Sequence, residues 1–151
     1  IGGEIVEKFE EKFSNFVESS YCVGLANGLD AITLSIEALS LPKESDILVA
    51  SNTYIATIIA ILRAGHNPIL VEPNINTYNI DPTKIEEAIN EKTKAICVTH
   101  LFGKCCRMDE ICKIANQYGF KIKYDLDYGI KEIIIEKLQD GDNNNLDIGG
   151  E

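Results

Sequence analysis

Apolar residues follow two patterns along this chain: short continuous runs, and longer segments in which they recur every three or four residues. Short continuous runs are typical of buried strands, and the spaced pattern is typical of helices that bury one face. The short runs predict strands at residues 21–25, 47–50, 68–72, 95–99 and 120–125. The spaced segments predict helices at residues 4–17, 54–63 and 108–118, and two more that begin near residues 29 and 82.

Strands that alternate with helices of about ten residues indicate a mostly parallel sheet. We therefore predict an α/β fold of three layers, in which helices cover both faces of the sheet. Ligands bind such sheets at the carboxyl ends of the strands. Three candidate groups would share that edge: the turn at Gly28, the loop of residues 51–54, and Asp125 at the end of its strand.

The turn at Ala26, Asn27 and Gly28 lies between a predicted strand and a predicted helix. The first N–H groups of a helix have no partner within the helix, and the helix dipole attracts anions there, so this arrangement is typical of phosphate sites. Gly28 would allow backbone and ligand to approach closely. The spacing is not that of the dinucleotide fingerprint, and the same turn also occurs in α/β domains without a ligand.

Composition narrows the range of functions. The net charge of −10 disfavours nucleic-acid binding, which needs a basic surface. No apolar run is long enough to span a membrane. The five cysteines are odd in number and two lie in predicted strands, which indicates reduced thiols in a cytoplasmic protein. Because no C-x-x-C pair is present, we predict no metal site.

Several motifs, in a constant order, resemble the DegT/StrS-type sugar aminotransferases. They are VGLANGLDAITLSIEAL, SNTYIAT, AGHNPILVEPNINTYNIDP, INEKTKAICVTHLFGK and MDEICKIANQYG, followed by the strand that ends at Asp125. Members of this family use pyridoxal phosphate (PLP) and have the aspartate-aminotransferase fold, PLP-dependent transferase fold type I. The resemblance implies a cytoplasmic homodimeric enzyme with a keto-sugar nucleotide and an amino-acid donor as substrates. It implies neither nucleic acid nor membrane as a partner.

The resemblance implies a phosphate-binding turn at Gly28, Leu29 and Asp30. Leu29 stands where the family usually has threonine or serine, so a hydroxyl is missing and the backbone amides would bind the phosphate. Only the N–H of Asp30 would face the phosphate, because its carboxylate would repel an anion.

The resemblance also implies three contacts to the cofactor ring. Tyr54 corresponds to the aromatic residue that stacks on the pyridine ring. Asp125 corresponds to the carboxylate that keeps the pyridine nitrogen protonated. Tyr128 stands where the family usually has glutamine or histidine against the ring hydroxyl. His100, which the family shares, is expected to have a structural role in its loop.

The resemblance weakens after Tyr128, so we predict a partial PLP-binding large domain at residues 1–128, without the small C-terminal domain. The family's Schiff-base lysine lies downstream of the aspartate, and Lys131 and Lys137 follow Asp125 too closely to correspond to it. We therefore expect no catalytic residue in this chain, no transamination, and exposed apolar surface where missing parts would pack. Two alternatives are a non-catalytic aminotransferase-like remnant and a generic α/β domain that binds a phosphorylated metabolite.

Residues 129–151 diverge from the family and are expected to form a solvated tail, disordered in part. Within this tail, the three isoleucines of residues 131–139 favour a strand over a short helix. Polar residues beyond them match part of a calcium-loop pattern whose required glycine is absent, so a solvated loop is the favoured interpretation. These residues are Asp140, Asp142, Asn144 and Glu151.

Overall fold

The computed structural model describes residues 3–125 and 132–137. Its α-helices are α1 (Glu4–Phe16), α2 (Gly28–Ala38), α3 (Ile55–Arg63), α4 (Pro82–Ala88) and α5 (Met108–Gln117). Its strands are β1 (Asp46–Ala50), β2 (Asn67–Val71), β3 (Thr93–Thr99), β4 (Phe120–Asp125) and β5 (Glu132–Lys137). A short 3₁₀ helix, Leu101–Gly103, follows β3.

The described strands form one sheet in the order β2-β1-β3-β5-β4. Strand β1 is parallel to β2 and β3, whereas β5 is antiparallel to both β3 and β4. Four strands therefore share one direction, which confirms the prediction of a mostly parallel sheet. The isoleucine-rich segment forms the one antiparallel strand of this described sheet, as its β-branched residues favour.

Helices cover both faces of the sheet, because alternate residues of each strand point to opposite sides. One face packs against α2 and α3 and contributes Ile47, Val49, Ala95 and Cys97. The other face packs against α4 and α5 and contributes Leu48, Ala50, Ile96 and Val98. The predicted three-layer architecture is confirmed. Within the described residues, none of the helices combines the length and apolarity needed to cross a bilayer.

The start of α4 follows from a local sequence signal. Asp81 is the N-cap, and its Oδ1 accepts a hydrogen bond from the Thr83 N–H at 3.0 Å. Pro82 occupies the first turn, where its missing N–H removes no helical hydrogen bond. Gly119 follows α5 with φ of +77°, a conformation that favours glycine over other residues. The predicted start of α4 and end of α5 are both confirmed.

The predicted strand at residues 21–25 is wrong. This segment forms no strand, and its Tyr21 side chain is 87% exposed. Its backbone finds a side-chain partner instead, since the Gly24 N–H donates to Glu10 Oε1 at 2.6 Å. A strand needs a neighbour for its N–H and C=O groups, and none of the described strands lies beside this segment.

Two helices leave apolar side chains exposed. Helix α1 was predicted to pack through one face, yet Ile5, Phe9 and Phe16 on that face are exposed. Helix α3 is apolar nearly all round in sequence, and its Ile55 and Leu62 are exposed as well. The prediction that α1 buries its apolar face is therefore wrong in part. These helices do expose apolar side chains, whereas the packing of further parts of the protein on them stays a prediction.

A buried histidine makes stability depend on pH. His66 lies just before β2, and its Nδ1 has no hydrogen-bond partner among the described residues. Burial lowers the pKa of His66 below its ordinary value of 6.5, because the charged ring is poorly solvated. The unfolded chain therefore binds a proton at higher pH than the folded chain, so this contribution to stability is present above pH 6.5 and is lost as pH falls.

We expect urea denaturation to show a free energy of unfolding that decreases between about pH 7 and pH 5 in the parent chain. The His66→Gln variant should show a shallower decrease, because it lacks the group that takes up the proton. Equal pH dependence in both proteins would contradict this prediction.

Candidate cofactor site at the carboxyl edge of the sheet

The register of the sheet brings two of the predicted groups to one edge. Ala50, at the end of β1, is paired with Val71 at the end of β2. On the other side of β3, Ile133 of β5 is paired with both Val98 and Asp125. Because β1 and β3 are parallel and in register along this part, the loop after Ala50 and the end of β4 both lie at the carboxyl edge.

Strand β5 separates β4 from β3. Asp125 therefore lies two strand spacings, or about 10 Å, from Val98 rather than one spacing away. The isoleucines predicted that β5 would be a strand, but no local signal indicates which strands it joins. Asp125 thus lies at the same edge as the loop that follows β3, but it is not a direct neighbour of that loop.

Tyr54 is the N-cap of α3, and its backbone is extended there. The helix has no side-chain cap, and the Thr53 hydroxyl lies 3.1 Å from the Thr99 hydroxyl at the end of β3. This contact ties the Tyr54 loop to β3. The side chain of Tyr54 is 76% exposed, so it offers an aromatic surface at the carboxyl edge.

The first turn of α2 is capped by Asn27. Asn27 Oδ1 accepts from the Asp30 N–H, and its Nδ2 donates to Asp30 Oδ2, both at 2.9 Å. The amides of Gly28 and Leu29 precede this bond and have no acceptor within the helix. Asp30 as a phosphate contact stays a prediction, and it would require this N–H to leave Asn27.

A positive side chain also reaches this turn. Arg63 Nη1 lies 3.6 Å from the Asp30 carboxylate. Neither the capping role of Asn27 nor the approach of Arg63 was predicted from the sequence. An asparagine directly before a helix is a recognisable capping signal, whereas the approach of Arg63 depends on how α3 packs against α2.

His100 and its neighbouring cysteines serve the structure of their loop. The Cys106 N–H donates to His100 Nδ1 at 3.2 Å, in agreement with the predicted structural role of His100. The Cys106 thiol donates to the Thr99 carbonyl at 3.2 Å. Burial raises the pKa of Cys106 to about 11, so this thiol stays protonated at neutral pH and is a poor nucleophile. Across the described residues, no group of three or more histidine, cysteine or acidic side chains is arranged to hold a metal ion.

Some sequence predictions fall outside the described residues. They concern Tyr128 as a ring contact, Lys131 as a solvated side chain, and the calcium-loop pattern within residues 138–151. For Asp125, the backbone position is described. The roles of all six predicted cofactor-binding residues stay predictions.

The chemical groups of these described residues are of the types that bind PLP. PLP has a flat ring, a phosphate and a ring nitrogen, and each needs a different partner. The exposed Tyr54 ring suits the flat face, the first-turn amides of Gly28 and Leu29 suit the phosphate, and Asp125 ends its strand at the same edge as Tyr54. The Leu29 side chain packs against the core between the sheet and helices α2 and α3, so only its N–H is available to an anion.

Comparison with known proteins gives a consistent result. The model of the DegT/DnrJ/EryC1/StrS aminotransferase family matches residues 1–128. The dTDP-3-amino-3,6-dideoxy-alpha-D-galactopyranose transaminase of Aneurinibacillus thermoaerophilus is 53% identical over 122 residues, which are 81% of this chain and 33% of that protein. The 3-oxo-glucose-6-phosphate:glutamate aminotransferase of Bacillus subtilis is 39% identical over 128 residues, which are 85% of this chain and 29% of that protein.

Solved structures show the same likeness. NtdA from Bacillus subtilis, solved with the bound cofactor PMP, matches with a TM-score of 0.76 and 31% sequence identity. The match covers 90% of this chain and 37% of that chain. The present chain thus spans about a third of the length of the curated relatives that it matches.

Proposed function

Because the chain belongs to the DegT/DnrJ/EryC1/StrS aminotransferase family, we propose that it is the N-terminal part of a PLP-binding large domain. The whole enzyme would transfer an amino group from an amino acid such as glutamate to a keto-sugar nucleotide. The observation that carries this proposal is the exposed Tyr54 ring at the carboxyl edge that also holds the end of β4. Several relatives are named as transaminases or aminotransferases of nucleotide sugars, and these names support the substrate class.

When bound, PLP supplies an electron sink for bonds at the amino-bearing carbon. In our proposal, Tyr54 covers one face of the ring and excludes water from it. Asp125 keeps a proton on the ring nitrogen through its ionised carboxylate. The amides of Gly28 and Leu29 hold the phosphate with the help of the α2 dipole.

We further propose that residues 1–128 bind cofactor without completing transamination. In this proposal, none of the lysines in this chain corresponds to the family's catalytic lysine, as the family resemblance of the sequence implies. A homodimer and a cytoplasmic location complete the proposal, in line with the family resemblance of the sequence. The exposed apolar side chains of α1 and α3 provide surface for further protein contacts.

A titration with PLP, followed through its absorbance, tests this function. We expect saturable, non-covalent binding that is weakened roughly two- to tenfold by Tyr54→Ala, because the ring loses its stacking partner. Borohydride reduction and mass spectrometry should then find no single lysine that is specifically labelled by PLP. The Tyr118→Ala variant, which alters a partly exposed tyrosine after α5, should bind like the parent chain.

Each outcome of this titration separates the candidate functions. An absence of PLP binding would favour the non-catalytic remnant and contradict our proposal. A single labelled lysine would show that this chain supplies its own covalent anchor, and would contradict the proposed lack of transamination. Equal weakening by Tyr54→Ala and Tyr118→Ala would remove Tyr54 from the site.

A further inference from the structure

A buried asparagine joins two loops at the carboxyl edge. Asn79 uses its whole side-chain amide: Nδ2 donates to the carbonyls of Lys104 at 2.9 Å and Cys105 at 3.2 Å, and Oδ1 accepts from the Leu101 N–H at 3.1 Å. All three partners belong to the loop after β3. An apolar residue of similar size would leave these backbone groups without their partner, so this loop position depends on the amide.

The residue before Asn79 connects to the Tyr54 loop. Asn52 Nδ2 donates to the Tyr78 carbonyl at 2.9 Å. Tyr78 has φ of +60°, an unfavourable conformation for a tyrosine. Two backbone bonds hold this turn in place: the Tyr78 N–H donates to the Asn74 carbonyl, and the Asn74 N–H donates to the Asn79 carbonyl, both at 2.8 Å.

We propose that Asn79 is a positioning residue for the cofactor site, which rests on the function proposed above. It holds the loop after β3 against residues 78–79, and the Asn52 bond extends this connection to the loop that carries Tyr54. The Thr53–Thr99 contact adds a second connection, because it joins the Tyr54 loop directly to the end of β3. Three loops at one edge are therefore held as a unit.

The position of Tyr54 needs such support, because its own ring is exposed and gains little from packing. A stacking group acts only when its plane and distance are fixed in advance, and small displacements weaken binding. Asn79 would thus act on the cofactor through Tyr54 without touching it.

The chain contains no tryptophan, so Tyr54→Trp creates a single fluorescent probe that keeps an aromatic ring at the site. In this background we expect Asn79→Ala to lower the fluorescence anisotropy of the probe. PLP should quench the probe with an affinity weakened about fivefold, because the three lost hydrogen bonds of the Asn79 side chain leave the position of the ring less well fixed. Amide hydrogen exchange at Leu101 should rise about tenfold or more relative to β1 and β3 amides, since its acceptor is removed.

Asn90 provides a matched control at the amino edge of the sheet. Its side chain also joins separate segments, through Nδ2 to Asp46 Oδ2 at 3.1 Å and through Oδ1 from the Lys92 N–H at 2.7 Å. Asn90→Ala should reduce global stability but leave the anisotropy and the exchange at Leu101 close to those of the parent. If Asn79→Ala and Asn90→Ala change the probe equally, Asn79 has only a general structural role and the proposal is overturned.

If Asn79→Ala does not fold, Asn52→Ala still tests the connection between Tyr78 and the Tyr54 loop, because Asn52 is exposed and its loss should not disturb the core. We expect lower anisotropy and weaker quenching with unchanged exchange at Leu101. Unchanged anisotropy would overturn the coupling. If the parent chain does not bind PLP, the proposed function fails, whereas anisotropy and exchange still report whether the loops move together.

Discussion

Alanine at Ile96 is expected to lower the free energy of unfolding by about 2–5 kcal/mol, the range for large-to-small changes in a packed core. Ile96 is 0% exposed, lies in the middle of β3, and contributes to the core beneath α4 and α5. Its neighbours in the sheet are Leu48 of β1 and Ile135 of β5. Urea denaturation of the two proteins under the same conditions measures the difference.

Ile75→Ala is the matched control, because it makes the same chemical change at a side chain that is 77% exposed. Its free energy of unfolding should stay within about 0.5 kcal/mol of the parent value. A small domain has only about 5–15 kcal/mol of stability in total, so the Ile96 change is expected to move the midpoint clearly. Equal effects of the two substitutions would show that β3 is not the centre of the core.

Local signals were sufficient for the central part of the fold. The segments that form β1 and β3 contain continuous apolar runs, which place apolar side chains on both faces of the sheet. Such runs predict a strand that is buried between two layers of helices. Asp81 as the N-cap and Pro82 in the first turn together mark the start of α4. Such elements are predictable because the residues that decide them are neighbours in sequence.

Non-local pairing was not predictable in the same way. The apolar composition of residues 21–25 favours a strand, but strand formation also needs an adjacent strand, and the described sheet supplies none there. Conversely, β5 inserts between β3 and β4, and its composition does not specify those neighbours. Strand propensity indicates which segments can pair, while the rest of the chain determines which partners they find.

The candidate site shows the same division. The parallel topology predicted that the Gly28 turn, the Tyr54 loop and Asp125 would share an edge. The register places the Tyr54 loop and Asp125 there, whereas the position of the Gly28 turn at this edge stays a prediction. The role of Asn79 was not predictable, because its three partners lie more than twenty positions away along the chain. A single polar residue gives no sign in sequence that its amide will meet distant backbone groups.

The apolar face of α1 is expected to dominate the binding of hydrophobic dyes to this chain. Ile5 is 85% exposed, Phe9 and Phe16 are exposed, and the ring of Phe9 stacks on that of Phe13 at a centroid distance of 5.6 Å. An exposed row of aromatic and branched side chains attracts apolar ligands and other chains. The combined Ile5→Gln, Phe9→Gln and Phe16→Gln variant should lose most of the dye fluorescence and self-association, as measured by dye titration and sedimentation.

The same variant should unfold with a free energy within about 0.5 kcal/mol per substitution of the parent, because these side chains bury little area in the folded chain. A control with Glu7→Gln and Glu11→Gln changes the polar side of α1, leaves the apolar row intact, and should bind dye like the parent. Undiminished fluorescence in the triple variant would contradict the prediction, because dye would then bind to other exposed apolar side chains such as Ile55 and Leu62 of α3. A large loss of stability would instead show that the face of α1 is covered in solution by this chain or by a second copy.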